Sequence, residues 1–179
     1  DGADVLDNDF IEYPFQIYYT LPEGENGEPG EWHLLSNDDE YIGVSYQNSN
    51  QPVTFVRKYR PPGVSEENAY NNIYFINPKK NAEISFPDNT ITYKIVECAV
   101  DSTIYGNVTI NGSEVPPDRV VINGDLRNYS SETVSAEILP TISFDNKVND
   151  NVIKDLFITK KLLDENDQEI TDDPATFSF

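Results

Sequence analysis

The stretch 82–97, AEISFPDNTITYKIVE, decides the fold class. Residues 83–86 and 90–100 read as strands, because β-branched and aromatic side chains alternate with polar ones, and Pro87-Asp88-Asn89 supplies the turn between them. A period of two puts Tyr93, Ile95 and Glu97 on one face and turns Cys98 to the other. The same texture runs outward in both directions. Upstream, residues 10–20 read as a strand interrupted near Pro14, and 32–35, 41–46, 53–59 and 73–76 as further short strands. Residues 22–30 and 61–72 are loops, the second with one helical turn at 65–70. Downstream, Asn111-Gly112 in VTINGSEV and Asn123-Gly124 in VVINGDL sit between alternating apolar residues, the pattern of tight hairpin tips. A last strand, 133–146, breaks at Pro140, and its half ISFDN sets Ile142, Phe144 and Asn146 on one face. The expectation is an all-β chain.

Composition bounds the function. The chain has 179 residues, enough for one compact domain with a sizeable core, or one domain and part of a neighbour. Twelve basic residues against 32 acidic give a net charge of -20, which repels nucleic acid and anionic membrane surfaces. Such acidity keeps a secreted protein soluble; a calcium-binding role is the lesser alternative. The single cysteine, Cys98, cannot close an internal disulfide. No apolar run is long enough to span a bilayer and no signal-peptide pattern opens the chain, so the expectation is a mature or excised segment whose anchor lies elsewhere.

After the polar link 147–155 the sequence changes character. LFITKKLLDENDQEITDDPATFSF (156–179) reads as a strand, an acidic loop and the start of another strand, with too little apolar surface to fold alone. The expected division is a domain over 1–150 and, over 151–179, a linker with the first strands of a following repeat or a complementing strand. Leu156, Ile158 and Lys160 share a face.

Taken together, ITYKIVE (91–97), ISFDN (142–146) and FITKKLLDEN (157–166) resemble the Cna B-type domains of Gram-positive pilins and adhesins, loosely over most of the chain. The resemblance implies a β-sandwich of transthyretin-like or inverse immunoglobulin type, here with long loop insertions. It also implies an internal isopeptide bond between a first-strand Lys and a last-strand Asn, assisted by an acid. Carried over, Glu97 is the assisting acid, Asn146 the electrophilic amide and Lys160 a lysine of the reactive type. The chain departs from the pattern in having no Lys before Lys58. Lys160 then belongs either to the next repeat, or to a strand that folds back or inserts into a neighbouring molecule.

The chemistry suits these residue types. Burial disfavours an ammonium and so frees the amine to attack; it keeps a carboxyl protonated, able to polarise the Asn carbonyl and relay protons as ammonia leaves. Each residue also has a plain structural reading: a Glu ending a strand in solvent, an Asn opening a turn, a Lys guarding an edge.

Other groups carry less. Cys98 reads as a small buried hydrophobe, with a thioester to a Gln such as Gln16, Gln47 or Gln51 as the alternative. His33 is the only histidine, which argues against a His-based metal site or a Ser-His-Asp triad. The acidic clusters 37–40 and 164–169 read as solvated turns, and the Asn-X-Ser/Thr triplets at Asn107, Asn111 and Asn128 as chance. The functional expectation is therefore a non-enzymatic structural stalk or pilus-like module, extracellular and attached to the cell surface or cell wall. It needs no cofactor or metal, and its partners are neighbouring repeats of the same protein. The alternative is an adhesin domain whose loop insertions present Trp32, Tyr46 and Tyr70 to a host protein or glycan.

Overall fold

A computed structural model describes residues 12–20, 22–23, 28–39, 42–49, 51–87, 89–121, 125–138 and 140–149. In chain order the strands are β1 (Tyr13–Thr20), β2 (Pro22–Glu23), β3 (Glu28–Pro29), β4 (His33–Leu34), β5 (Gly43–Tyr46), β6 (Thr54–Tyr59), β7 (Tyr70–Ile76) and β8 (Ala82–Ser85). They continue as β9 (Thr92–Asp101), β10 (Tyr105–Ile110), β11 (Ser113–Glu114), β12 (Arg119–Val121), β13 (Leu126–Ser130), β14 (Val134–Ser135) and β15 (Phe144–Val148). A 3-10 turn, Glu66–Asn68, precedes β7, where one helical turn is expected from the sequence. The chain is all-β, and the strand pairs among the described residues are antiparallel.

The large sheet has the order β12-β13-β9-β1-β7-β6, with β14 also on β9 and β4 on β1. A second sheet, β11-β10-β15, lies across its β9 side, and a β5-β8 ribbon covers its β7 side. β1 is central: Phe15–Thr20 pair with β9 and Tyr13–Phe15 with β7. Pro14, which has no N–H to donate, stands where β1 leaves the β9 ladder, so the strand tolerates it. Ile17 packs with Leu35, Tyr46, Val53 and Tyr74 under the ribbon, while Val96 and Cys98 of β9 pack on the opposite face with Val64, Tyr70 and Ile73.

Two local expectations change. The turn at 87–89 does not close a hairpin: β8 pairs with β5, and the chain crosses from the ribbon to β9. The strand expected over 133–146 is two strands in two sheets, with Val134 opposite Tyr93 on β9 and Asn146 opposite Val108 on β10. Pro140 lies in the crossing between them, where no ladder needs its N–H. Asn111-Gly112 is a hairpin tip with φ of 52° and 78°, the left-handed pair a two-residue turn requires. Asn123-Gly124 lies outside the described residues, although β12 and β13 on either side of it do pair.

One irregularity decides which side chains of β9 face the second sheet. Between Arg127 and Tyr129 the β13–β9 register shifts by one, so Cys98 and Ala99 together oppose Asn128. Ala99 has a φ of 54°, unusual for a residue with a Cβ, and its N–H donates to Asn128 Oδ1 at 3.1 Å. The bulge reverses the alternation of β9. Glu97 and Val100, three apart, both face the second sheet, where Val100 packs with Val108 and Tyr129.

Candidate functional site

Three adjacent strands of the large sheet bring Phe15, Glu97 and Tyr129 into one row, since Glu97 is directly opposite both of the others. Facing them, β15 carries Phe144 and Asn146 towards the large sheet while Asp145 and Lys147 are exposed. The Phe15 and Phe144 rings meet edge to face at 5.2 Å and fix the separation of the sheets beside the polar pair. There, Asn146 Nδ2 donates to Glu97 Oε1 at 2.6 Å. Nearby, the hydroxyls of Tyr13 and Tyr105 are 3.0 Å apart across the same gap.

Glu97 is 1% exposed. Burial pushes its carboxyl up from near 4.5 to about 7, and the Asn146 N–H opposes that rise only in part. Near neutral pH the group therefore divides between acid and carboxylate. Burial, with the hydrogen bond shared with Tyr105, also holds the Tyr13 hydroxyl protonated, so Tyr13 adds no second charge.

The site is incompletely satisfied. Among the described residues, Glu97 Oε2 and Asn146 Oδ1 are both buried and both lack a hydrogen-bond partner, a condition that costs about 1–3 kcal/mol per group. A half-turn of the Asn146 carboxamide exchanges its O and N, and the protonated Glu97 then donates to Oδ1. In that arrangement the carbonyl is polarised, as attack on Asn146 Cγ by a neutral amine would require.

Glu97 and Asn146, expected as acid and amide, are thus brought into contact across the two sheets. Lys160 lies outside the described residues, and so does the whole 151–179 segment. The described lysines are placed elsewhere: Lys58 pairs with Glu66, Lys80 lies over the ring of Tyr46, Lys94 lies over those of Tyr18 and Trp32, and Lys79 and Lys147 are exposed.

Cys98 is fully buried, as expected of a small hydrophobe. Its S–H donates to Gln16 Oε1 at 3.6 Å; that oxygen also accepts from Tyr18 Oη at 3.1 Å, and Gln16 Nε2 donates to the Asn71 carbonyl at 2.7 Å. The loop aromatics correct an expectation. Tyr46 and Tyr70 are 6% and 3% exposed, Tyr46 on the inward side of the ribbon and Tyr70 donating to Asn128 Oδ1 at 2.9 Å, so neither is presented at the surface. Trp32 is half-buried against Lys94. Asn128, one of the three triplet asparagines, is buried under the bulge. In the acidic cluster at 37–40, Asp38 meets Arg57 in a two-pronged ion pair and Asp39 accepts the Ser36 N–H. Among the described residues no group of three His, Cys, Asp or Glu is placed to hold a metal.

Sequence reasoning missed the aromatic frame around the pair, Tyr13, Phe15, Tyr105 and Phe144, and the bulge at Ala99. Strand parity alone could have placed Phe15 beside Glu97, had the β1–β9 pairing been known. In comparison with known proteins, no family model matches the chain, and no match emerges among curated proteins or solved structures.

Proposed function

We propose that this chain is a load-bearing β-sandwich module of a bacterial cell-surface protein, of the transthyretin-like or inverse immunoglobulin kind found in Cna B-type domains. In this reading Glu97 and Asn146 form an autocatalytic amide-forming centre that cross-links the module to a lysine, Lys160 being the first candidate. The observation that carries it is the buried 2.6 Å contact between the two side chains, with one oxygen of each left unpartnered among the described residues. Two unpaired buried oxygens are a cost to a purely structural hydrogen bond, and this reading gives them a use.

The step balances without a co-reactant. A neutral lysine amine attacks Asn146 Cγ, Glu97 polarises the carbonyl and passes the amine proton to Nδ2, the Cγ–Nδ2 bond breaks, and ammonia leaves. The product is an amide between the lysine and Asn146 side chains, and Glu97 ends in the protonation state it began with. An extracellular stalk fits the net charge of -20 and an all-β architecture. The adhesin alternative loses Tyr46 and Tyr70 as surface contacts, because both belong to the core.

Intact mass spectrometry of the purified, denatured chain tests the reading. A monomer short by one ammonia, with a crossed peptide joining Asn146 to Lys160, is the expected result. Covalent multimers would move the bond between chains, and an unshifted monomer would sink the pairing with Lys160.

A further inference from the structure

Arg127 is anomalous in a chain this acidic. It stands on β13 two residues from Tyr129 and so on the same side of the strand, opposite Val100 of β9, yet its side chain forms no ion pair or hydrogen bond among the described residues. Its Nε is buried and has no acceptor there, although acidic residues outnumber basic ones 32 to 12. Arg127 is half-buried, and its buried Nε is a donor whose hydrogen bond is unmade among the described residues, a cost that a bound acceptor would remove.

The residue lines a groove of about 390 Å³. One wall is the strap 115–118, tied to both sheets: the Val115 N–H bonds the Val108 carbonyl at 3.2 Å, and the Asp118 N–H bonds the Asn128 carbonyl at 2.9 Å. Val108, Val115, Pro117 and Tyr129 supply apolar surface, and Glu114 stands on the rim without meeting Arg127.

We infer that this groove binds a carboxylate, held by the Arg127 guanidinium with its aliphatic stem against Val115, Pro117 and Tyr129. A planar fork matches a carboxylate with two parallel hydrogen bonds. With Glu114 nearby and a net charge of -20 around it, the groove suits one negative charge and disfavours a dianionic phosphate. The groove adjoins the Glu97–Asn146 pair through Tyr129 and Val108, but carboxylate binding there does not depend on the chemistry of that pair.

Amide-resolved NMR titration tests this, using propionate, an acetylated and amidated Gly-Glu-Gly peptide, and its Gly-Gln-Gly counterpart at matched ionic strength. Propionate and the Glu peptide are expected to shift Val108, Val115, Arg127 and Tyr129 saturably, and the Gln peptide is not. Tighter binding of the Glu peptide than of propionate would assign the carboxylate to a peptide side chain, and equal binding to a free acid. Arg127→Gln should weaken either by about tenfold or more. Should that variant fail to fold, Glu114→Gln decides, since removing the like charge must tighten binding at a real site. The inference is overturned if no saturable shift occurs, if Arg127→Gln responds as the parent does, or if Glu114→Gln changes nothing.

Discussion

The two faces of β9 carry polar residues one position apart and treat them differently. On one face Gln16 and Cys98 lie among Val64, Tyr70 and Val96 with their polar atoms engaged: the Gln16 carboxamide bonds Asn71, Tyr18 and Cys98. On the other, Glu97 and Asn146 share a single hydrogen bond, and each retains a buried oxygen with no partner among the described residues. At Gln16 and Cys98 the polar groups are met and serve packing, although Thr92 Oγ1 further along the same face is also buried without a partner among the described residues. Where two oxygens remain open around a polarisable carbonyl, the fold has accepted a penalty that a purely structural pair would avoid.

Covalent chemistry should separate the two faces most strongly. Glu97→Gln and Asn146→Ala should each abolish the loss of ammonia completely, whereas Cys98→Ala should leave it unchanged; intact mass resolves all three. A loss that persists in Asn146→Ala would move the reaction to another amide.

The next effect is on stability against pH. For Glu97 the folded value is raised, from near 4.5 to about 7, so the folded state holds a proton that the unfolded state has released. Stability should therefore fall as pH rises from about 4.5 to about 7, by about 3 kcal/mol in all, and level off above. Glu97→Gln should flatten that slope, while Gln16→Leu on the opposite face should keep it. Urea denaturation at a series of pH values reads both.

A smaller effect belongs to the bulge that separates the two faces. Ala99 at a φ of 54° is strained, and Ala99→Gly should relieve it, partly offset by the greater freedom of glycine in the unfolded chain. The net gain should be about 0.5 kcal/mol by denaturation, with the Glu97–Asn146 contact preserved. A loss of stability would show that the Ala99 Cβ packs usefully where it is.

The contrast between faces also explains what could be read from the sequence. Period-two alternation suffices for Tyr93, Ile95 and Glu97 against Cys98, and for Phe144 and Asn146 against Asp145, because a strand has only two sides. Asn111-Gly112 is legible because few residue pairs accept two positive φ values in succession. The bulge is not legible: Cys98-Ala99 contains no glycine, and only the register against Asn128 creates it. Nor could local pattern show that 133–146 divides between sheets, or that Tyr46 and Tyr70 are covered, since both depend on segments distant in the chain. The contact between Glu97 and Asn146 lies between these cases. Parity put each on an inward face, and the packing of β15 over β9 made them meet.

Everything proposed for the pair depends on burial keeping Glu97 as a proton-bearing acid against Asn146, and NMR titration of the Glu97 carboxyl carbon reads that proton itself. The midpoint should lie near 7 and move higher in Asn146→Ala, because the donor that opposes the rise is gone. A midpoint in the ordinary carboxylate range, unmoved by Asn146→Ala, would mean that Glu97 is no such acid.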